Sequence, residues 1–180
     1  VGLDGHRATQ PLGEGDWLDV TKGSWERGDV RVTVSSVNLG PVTLKGPKDK
    51  QKPTKENYLV ITVQVRNSGV ARMFNYQSWN EKPATPEAPI MKLTDSTGKE
   101  LKPATFPEGW DLPGRGTSGS VVPGRTLDDL LVFEAPAEAV ETLKLELPFE
   151  AFGEKGPAVR LLVPKGMAGR NNLVPGFQGK

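Results

Sequence analysis

The side chains that most often carry chemistry are sparse in this chain. Its one histidine, His6, sits among Gly-rich and polar residues near the start, and cysteine is absent. A nucleophile triad or an imidazole metal site needs a histidine held on a rigid scaffold, so His6 reads as a solvated tail residue. Without cysteine there can be no disulfide, thiolate metal site or cysteine nucleophile. Gly114-Arg115-Gly116-Thr117-Ser118-Gly119 spells G-x-G-x-x-G. That motif cradles a pyrophosphate only where a strand leads in and a helix opens behind it. Here Pro113 precedes it and Val121-Val122-Pro123 follows, which reads as a loop.

Carboxylates offer little more. Asp95-Ser96-Thr97-Gly98 lacks the alternating acidic ligands and terminal glutamate of a calcium loop, and Asp with Gly is what a tight turn needs. Asp128-Asp129 could pair with another acid as general acid and base, but carboxylates face solvent by default. Lys45, Lys48, Lys50, Lys52 and Lys55, broken by Pro47 and Pro53, read as a solvated basic loop with at most a weak affinity for anionic polymers. No catalytic, cofactor-binding or metal-ligating residue is therefore assigned, and no cofactor is expected.

The tryptophans Trp17, Trp25, Trp79 and Trp110 are the residues with recognition potential. An exposed indole face stacks on sugars or partner side chains, and loops at the ends of a β-sandwich are where recognition usually occurs. Trp79, beside a Pro-rich stretch, and Trp110, within a long loop, are the candidate ligand contacts. The competing reading, packing against loop backbone, is the favoured one for each, because large aromatics contribute most by burial.

Such residues must be positioned by short strands. The chain has 180 residues, 36% hydrophobic, with 21 Gly and 16 Pro, a balance that disfavours helix interiors and suits strands separated by turns. Val30, Val32 and Val34 alternate with Arg31, Thr33 and Ser35, the period of a half-buried strand over 29–37. Residues 58–66 are the strongest strand, with Leu59, Ile61, Val63 and Val65 on one face and Tyr58, Val60 and Thr62 on the other. Further strands are expected at 42–44, 73–79, 90–94, 99–101, 121–122, 127–134, 143–147 and 159–163. Residues 103–120 read as a long loop and 136–141 as at most one helical turn. About seven to nine antiparallel strands predict an all-β sandwich over 16–165, with flexible tails at 1–15 and 166–180. Basic and acidic residues number 23 and 22, so no overall field draws the chain to nucleic acid or an anionic membrane, and no apolar run approaches a membrane span.

Three motifs carry a family resemblance: the long strand ending Arg66-Asn67-Ser68-Gly69, the Asp95–Gly98 hairpin, and Pro123-Gly124 followed by Val132-Phe133-Glu134-Ala135-Pro136. Over about residues 29–165 the chain resembles the bacterial extracytoplasmic immunoglobulin-like domains of unknown function, which are similar in fold to the mycobacterial immunoprotective extracellular protein. The resemblance implies an immunoglobulin-like sandwich, an extracytoplasmic location (secreted, periplasmic or membrane-tethered) and no known catalytic residues. The start at Val1-Gly2-Leu3, without Met, suggests that an export signal or anchor has been trimmed away. The expected function is that of a non-catalytic envelope or secreted module binding an unknown protein or glycan. It would meet no nucleic acid, and would reach the membrane only through an anchor outside this sequence. The alternative is a carbohydrate-binding module using loop tryptophans. The loop 103–120 and the tails, which depart from the family pattern, are where a particular function is expected to sit.

Overall fold

The computed structural model describes residues 16–83, 85–137 and 141–167; His6, the 1–15 tail, most of the C-terminal tail and the centre of the 136–141 turn lie outside them. In chain order the strands are β1 (Leu18–Asp19), β2 (Trp25–Arg27), β3 (Val30–Gly40), β4 (Thr43–Lys45), β5 (Gln51–Pro53), β6 (Tyr58–Asn67), β7 (Phe74–Tyr76), β8 (Lys92–Thr94), β9 (Glu100–Leu101), β10 (Gly119–Val121), β11 (Thr126–Glu134), β12 (Leu143–Leu147) and β13 (Val159–Val163). Two 3-10 turns, Pro47–Asp49 and Phe149–Phe152, are the helical elements among the described residues.

Two sheets form the layers of a β-sandwich. One has the order β11-β6-β3-β2 and is antiparallel throughout; the other has the order β1-β13-β12-β8-β9, with β1 parallel to β13. The central pairing is β3 with β6 and β6 with β11, so the β-branched strand is flanked on both sides. Its alternation decides its faces. Leu59, Ile61, Val63 and Val65 are fully buried between the sheets with Leu131, Phe133, Leu145 and Leu161. Val60 points the other way, into a second cluster with Val132, Leu130, Leu112 and Leu44. Each such aliphatic side chain removed from water stabilises the fold by about 1.5–3 kcal/mol. The valine alternation of β3 holds to Val34. A register shift between Val34 and Ser36 then resets the faces and sends Val37 inward.

The structure has more strands than the seven to nine expected, because several are only two or three residues long. Three corrections matter for function. The basic stretch after Lys45 is partly a hairpin, β4–β5, with Pro53 at its margin and Lys45 paired to Asp49 at 2.8 Å. The loop 103–120 does not hang free. Its backbone bridges to Phe133, Lys45 and Leu130, and it lays Ala104, Phe106, Trp110 and Leu112 over the outer face of β6 and β11. Finally, the strand expected over 73–79 ends at Tyr76, where the chain turns across the end of the sandwich.

Candidate functional site: a buried carboxylate beside an apolar cleft

The inner face of β11 reads Leu127, Asp129, Leu131, Phe133, which puts a carboxylate where the pattern calls for an aliphatic group. Asp129 is accordingly 0% exposed, not solvent-facing as a carboxylate is by default. A charge so placed is tolerable only if donors surround it. Tyr76 Oη donates to Oδ2 at 2.7 Å and Ser78 Oγ at 2.5 Å, while the backbone N–H groups of Gly116 and Thr117 donate to Oδ1 at 3.0 and 3.3 Å. Asn80 Nδ2 adds a longer contact at 3.3 Å and donates at 2.8 Å to the Leu130 carbonyl.

Two segments converge on this group. The chain leaving β7 supplies Tyr76, Ser78 and Asn80. The glycine-rich segment supplies two amides, and Gly116 has a positive φ of 79°, a backbone conformation that suits glycine. The G-x-G-x-x-G stretch thus does hold an anion, the protein's own aspartate. Ser118 fastens the segments further. Its Oγ accepts from the Ser78 N–H at 2.8 Å and donates to Glu81 Oε1 at 2.7 Å.

Burial pushes the Asp129 carboxyl above the ordinary aspartate value, and the hydrogen bonds from Ser78, Tyr76, Thr117 and Gly116 pull the other way. Burial wins because no cation faces the group among the described residues. The Tyr76 phenol is likewise pushed up, first by burial and then by the charge of Asp129. Both groups are shut away from solvent, Asp129 at 0% and Tyr76 at 2% exposure. Geometrically, the constellation is a clasp between two loops.

Beside the clasp lies a cleft of about 240 Å³, floored by Trp79, Met91, Pro83, Pro89, Pro148 and Ala151, with the carboxylates of Glu81 and Glu150 in its lining. Trp79 is 7% exposed, and its Nε1 donates to the Pro148 carbonyl at 2.9 Å. It packs at 5.0 Å from Tyr76 and 5.7 Å from Phe152. Of the two candidate ligand contacts it is therefore a core plug that lends an edge to the cleft. Trp110 is half-buried in the second cluster, with its indole against Gly46, where an added Cβ would come within 2.6 Å of the ring. The structure does not bring Trp79 and Trp110 together: they belong to separate clusters. Trp25 is buried against Phe149, and Trp17 carries Lys144 and Arg160 over its ring at 5.3 and 5.6 Å.

The Asp95–Gly98 segment is a turn in which Asp95 Oδ1 accepts from the Thr97 hydroxyl and from the N–H groups of Thr97 and Lys99, which hold its carboxyl below the ordinary value. Among the described residues no three His, Asp or Glu side chains cluster in a way that could hold a metal. No described helix is long and apolar enough to cross a membrane.

Comparison with known proteins gives a family of unknown function and similar folds. Residues 23–158 match the family model of a domain of unknown function, DUF4352. No curated protein matches the chain. Among solved structures, a Bacillus subtilis protein described as a "putative lipoprotein" (YcdA) superposes with a TM-score of 0.50 at 18% identity. That match covers 78% of this chain but only 38% of the other, so this chain spans well under half of that neighbour's length. The YjhA protein of Bacillus subtilis is similar over 78% of this chain and 94% of its own, with 18% identity and a TM-score of 0.47. The family-model match carries the coarse part of the motif resemblance, a domain family of unknown function.

Proposed function

Because the chain belongs to the DUF4352 family, we propose that it is a non-catalytic binding module of the cell envelope, recognising a partner through its loops. The observation that carries this reading is the enclosure of Asp129. The buried acid that most resembles catalytic machinery is saturated by donors from two loops and 0% exposed, so its service is to hold those loops in place. Loops fixed on a rigid sandwich are the usual means by which such folds recognise others. An envelope location is supported by the lipoprotein label of one structural neighbour, which is a statement about that protein. An immunoglobulin-like kinship of the sandwich belongs to the same proposal, supported by two packed sheets around one aliphatic core.

Crosslinking in intact cells followed by mass spectrometry tests this reading. A recurrent partner lost on loop substitution is expected; reproducible absence of partners counts against it. Titration with a broad glycan panel, read by tryptophan emission, separates the carbohydrate alternative. A saturable response abolished by Trp110→Ala would favour that alternative.

A further inference from the structure

The exposed apolar groups of this molecule are not evenly spread. Of the five large hydrophobic side chains exposed among the described residues, three lie at one end of the sandwich: Val70 at 95%, Met73 at 62% and Val122 at 42%. They sit on two neighbouring loops, 68–73 after β6 and 122–125 before β11. Pairing of Val121 with Phe74 brings Met73 and Val122 side by side.

Both loops are pinned by one residue. Asn67 is fully buried, and every polar atom it owns is used. Its Nδ2 donates to the carbonyls of Arg72 and Val121, each at 2.8 Å, and its Oδ1 accepts from the Gly69 N–H at 2.9 Å. Its backbone N–H donates to the Arg125 carbonyl, and its own carbonyl accepts from Gly124. Gly69 lies so close to Asp29 that an added Cβ would fall 2.5 Å from the carboxylate carbon, and Gly124 takes a φ of 79°. The backbone of both loops is therefore fixed where the apolar groups emerge.

The same loops carry exposed Arg72 and Arg125, neither in an ion pair among the described residues, and Arg66 lies next to the hub on β6. Asp29 is the acidic group tucked against this tip. Each loop thus offers an aliphatic group and a guanidinium within two or three positions: Val70 with Arg72, Val122 with Arg125. We propose that this two-loop tip docks on an anionic phospholipid surface, the aliphatic side chains entering the interface and the guanidiniums binding lipid phosphates. A valine 95% exposed protrudes, which suits insertion into a soft interface better than contact with a rigid protein face. Arginine's planar fork matches phosphate oxygens in pairs, and clustered basic groups bind an anionic leaflet additively. The overall charge of +1 cannot do this; the local arrangement can. The inference goes beyond the binding-module reading, and its failure leaves that reading intact because the assay contains no protein partner.

Vesicle co-sedimentation tests it, with phosphatidylcholine alone and with added phosphatidylglycerol, using the full chain. Binding is expected only to the anionic vesicles, weakening with salt. Each of Arg72→Glu and Arg125→Glu should lower affinity by about fivefold or more. Val70→Asp should lower it by roughly tenfold, while Ile90→Asp, exposed on another surface, leaves it unchanged. Val70 is solvent-exposed, so the variant folds, and an unaltered melting temperature checks this. No binding to anionic vesicles, or binding indifferent to the tip substitutions, overturns the proposal.

Discussion

Among the described residues, Asn67 and Asp129 are buried polar hubs that solve the same problem with different chemistry. Asn67 at the two-loop tip is a neutral amide satisfied almost wholly by backbone groups. Asp129 is a potential charge satisfied by two hydroxyls, two loop amides and an asparagine side chain. A neutral hub needs only geometric fit, and its strength is indifferent to pH. A charged hub in an apolar layer must overcome desolvation, so its strength depends on its proton. Loops tied by Asn67 should hold under all mild conditions. Those tied by Asp129, one of which lines the apolar cleft through Ser78 and Glu81, should respond to acid and base.

Substitutions can break that comparison in order of expected size. Asp129→Ala strands several buried donors at once and should lower unfolding free energy by about 3–5 kcal/mol in urea titrations. Asp129→Asn should cost much less, because the hydroxyls of Tyr76 and Ser78 can rotate to accept from the new amide. Asn67→Ala leaves two carbonyls and one N–H without partners and should cost about 2–4 kcal/mol, by the same measurement. Gly46→Ala comes next: it drives a methyl group into the Trp110 ring and should cost about 1–3 kcal/mol, with a red shift in tryptophan emission as the indole is displaced.

The smallest effect separates the hubs by pH. Burial raises the folded-state Asp129 carboxyl above its unfolded value near 3.8. The folded state therefore binds the extra proton, and the stability this contributes is present in full below the unfolded value. It is lost as pH rises through the raised folded value. The stability of the wild type relative to Asp129→Asn should thus fall as pH climbs from below 3.8, a reference that cancels the opposite trends of Asp19 and Asp95. The difference between wild type and Asn67→Ala should stay flat across the same range.

Much of the framework was legible in the sequence, and the reasons differ by element. Residues 58–66 alternate over so many β-branched positions that both faces could be assigned, and Ile61 and Val63 are indeed fully buried. The core position of Asp129 was also written in the pattern, two residues before Leu131 and four before Phe133. The rule that carboxylates face water outweighed the period-two rule, and the period-two rule was right. The role of 114–119 was half legible: glycines that offer amides to an anion were visible, but the anion lies ten or more residues away in sequence and only folding brings it there. The motif Arg66-Asn67-Ser68-Gly69 read as the end of a long strand, which it is: β6 runs to Asn67 and the chain then leaves the sheet. Nothing local shows that Asn67 reaches to Val121, 54 residues on. β5 was hidden because Gln51, Lys52 and Pro53 are all exposed and give no alternation to read.

Amide hydrogen exchange at Gly116 and Thr117 tests the central claim most directly. Both lie in a glycine-rich loop that would ordinarily exchange within the dead time. If Asp129 is the clasp, both amides are protected in the wild type and lose that protection selectively in Asp129→Ala, while Gly69, held by Asn67, keeps its own. Fast exchange of Gly116 and Thr117 in the wild type would contradict it.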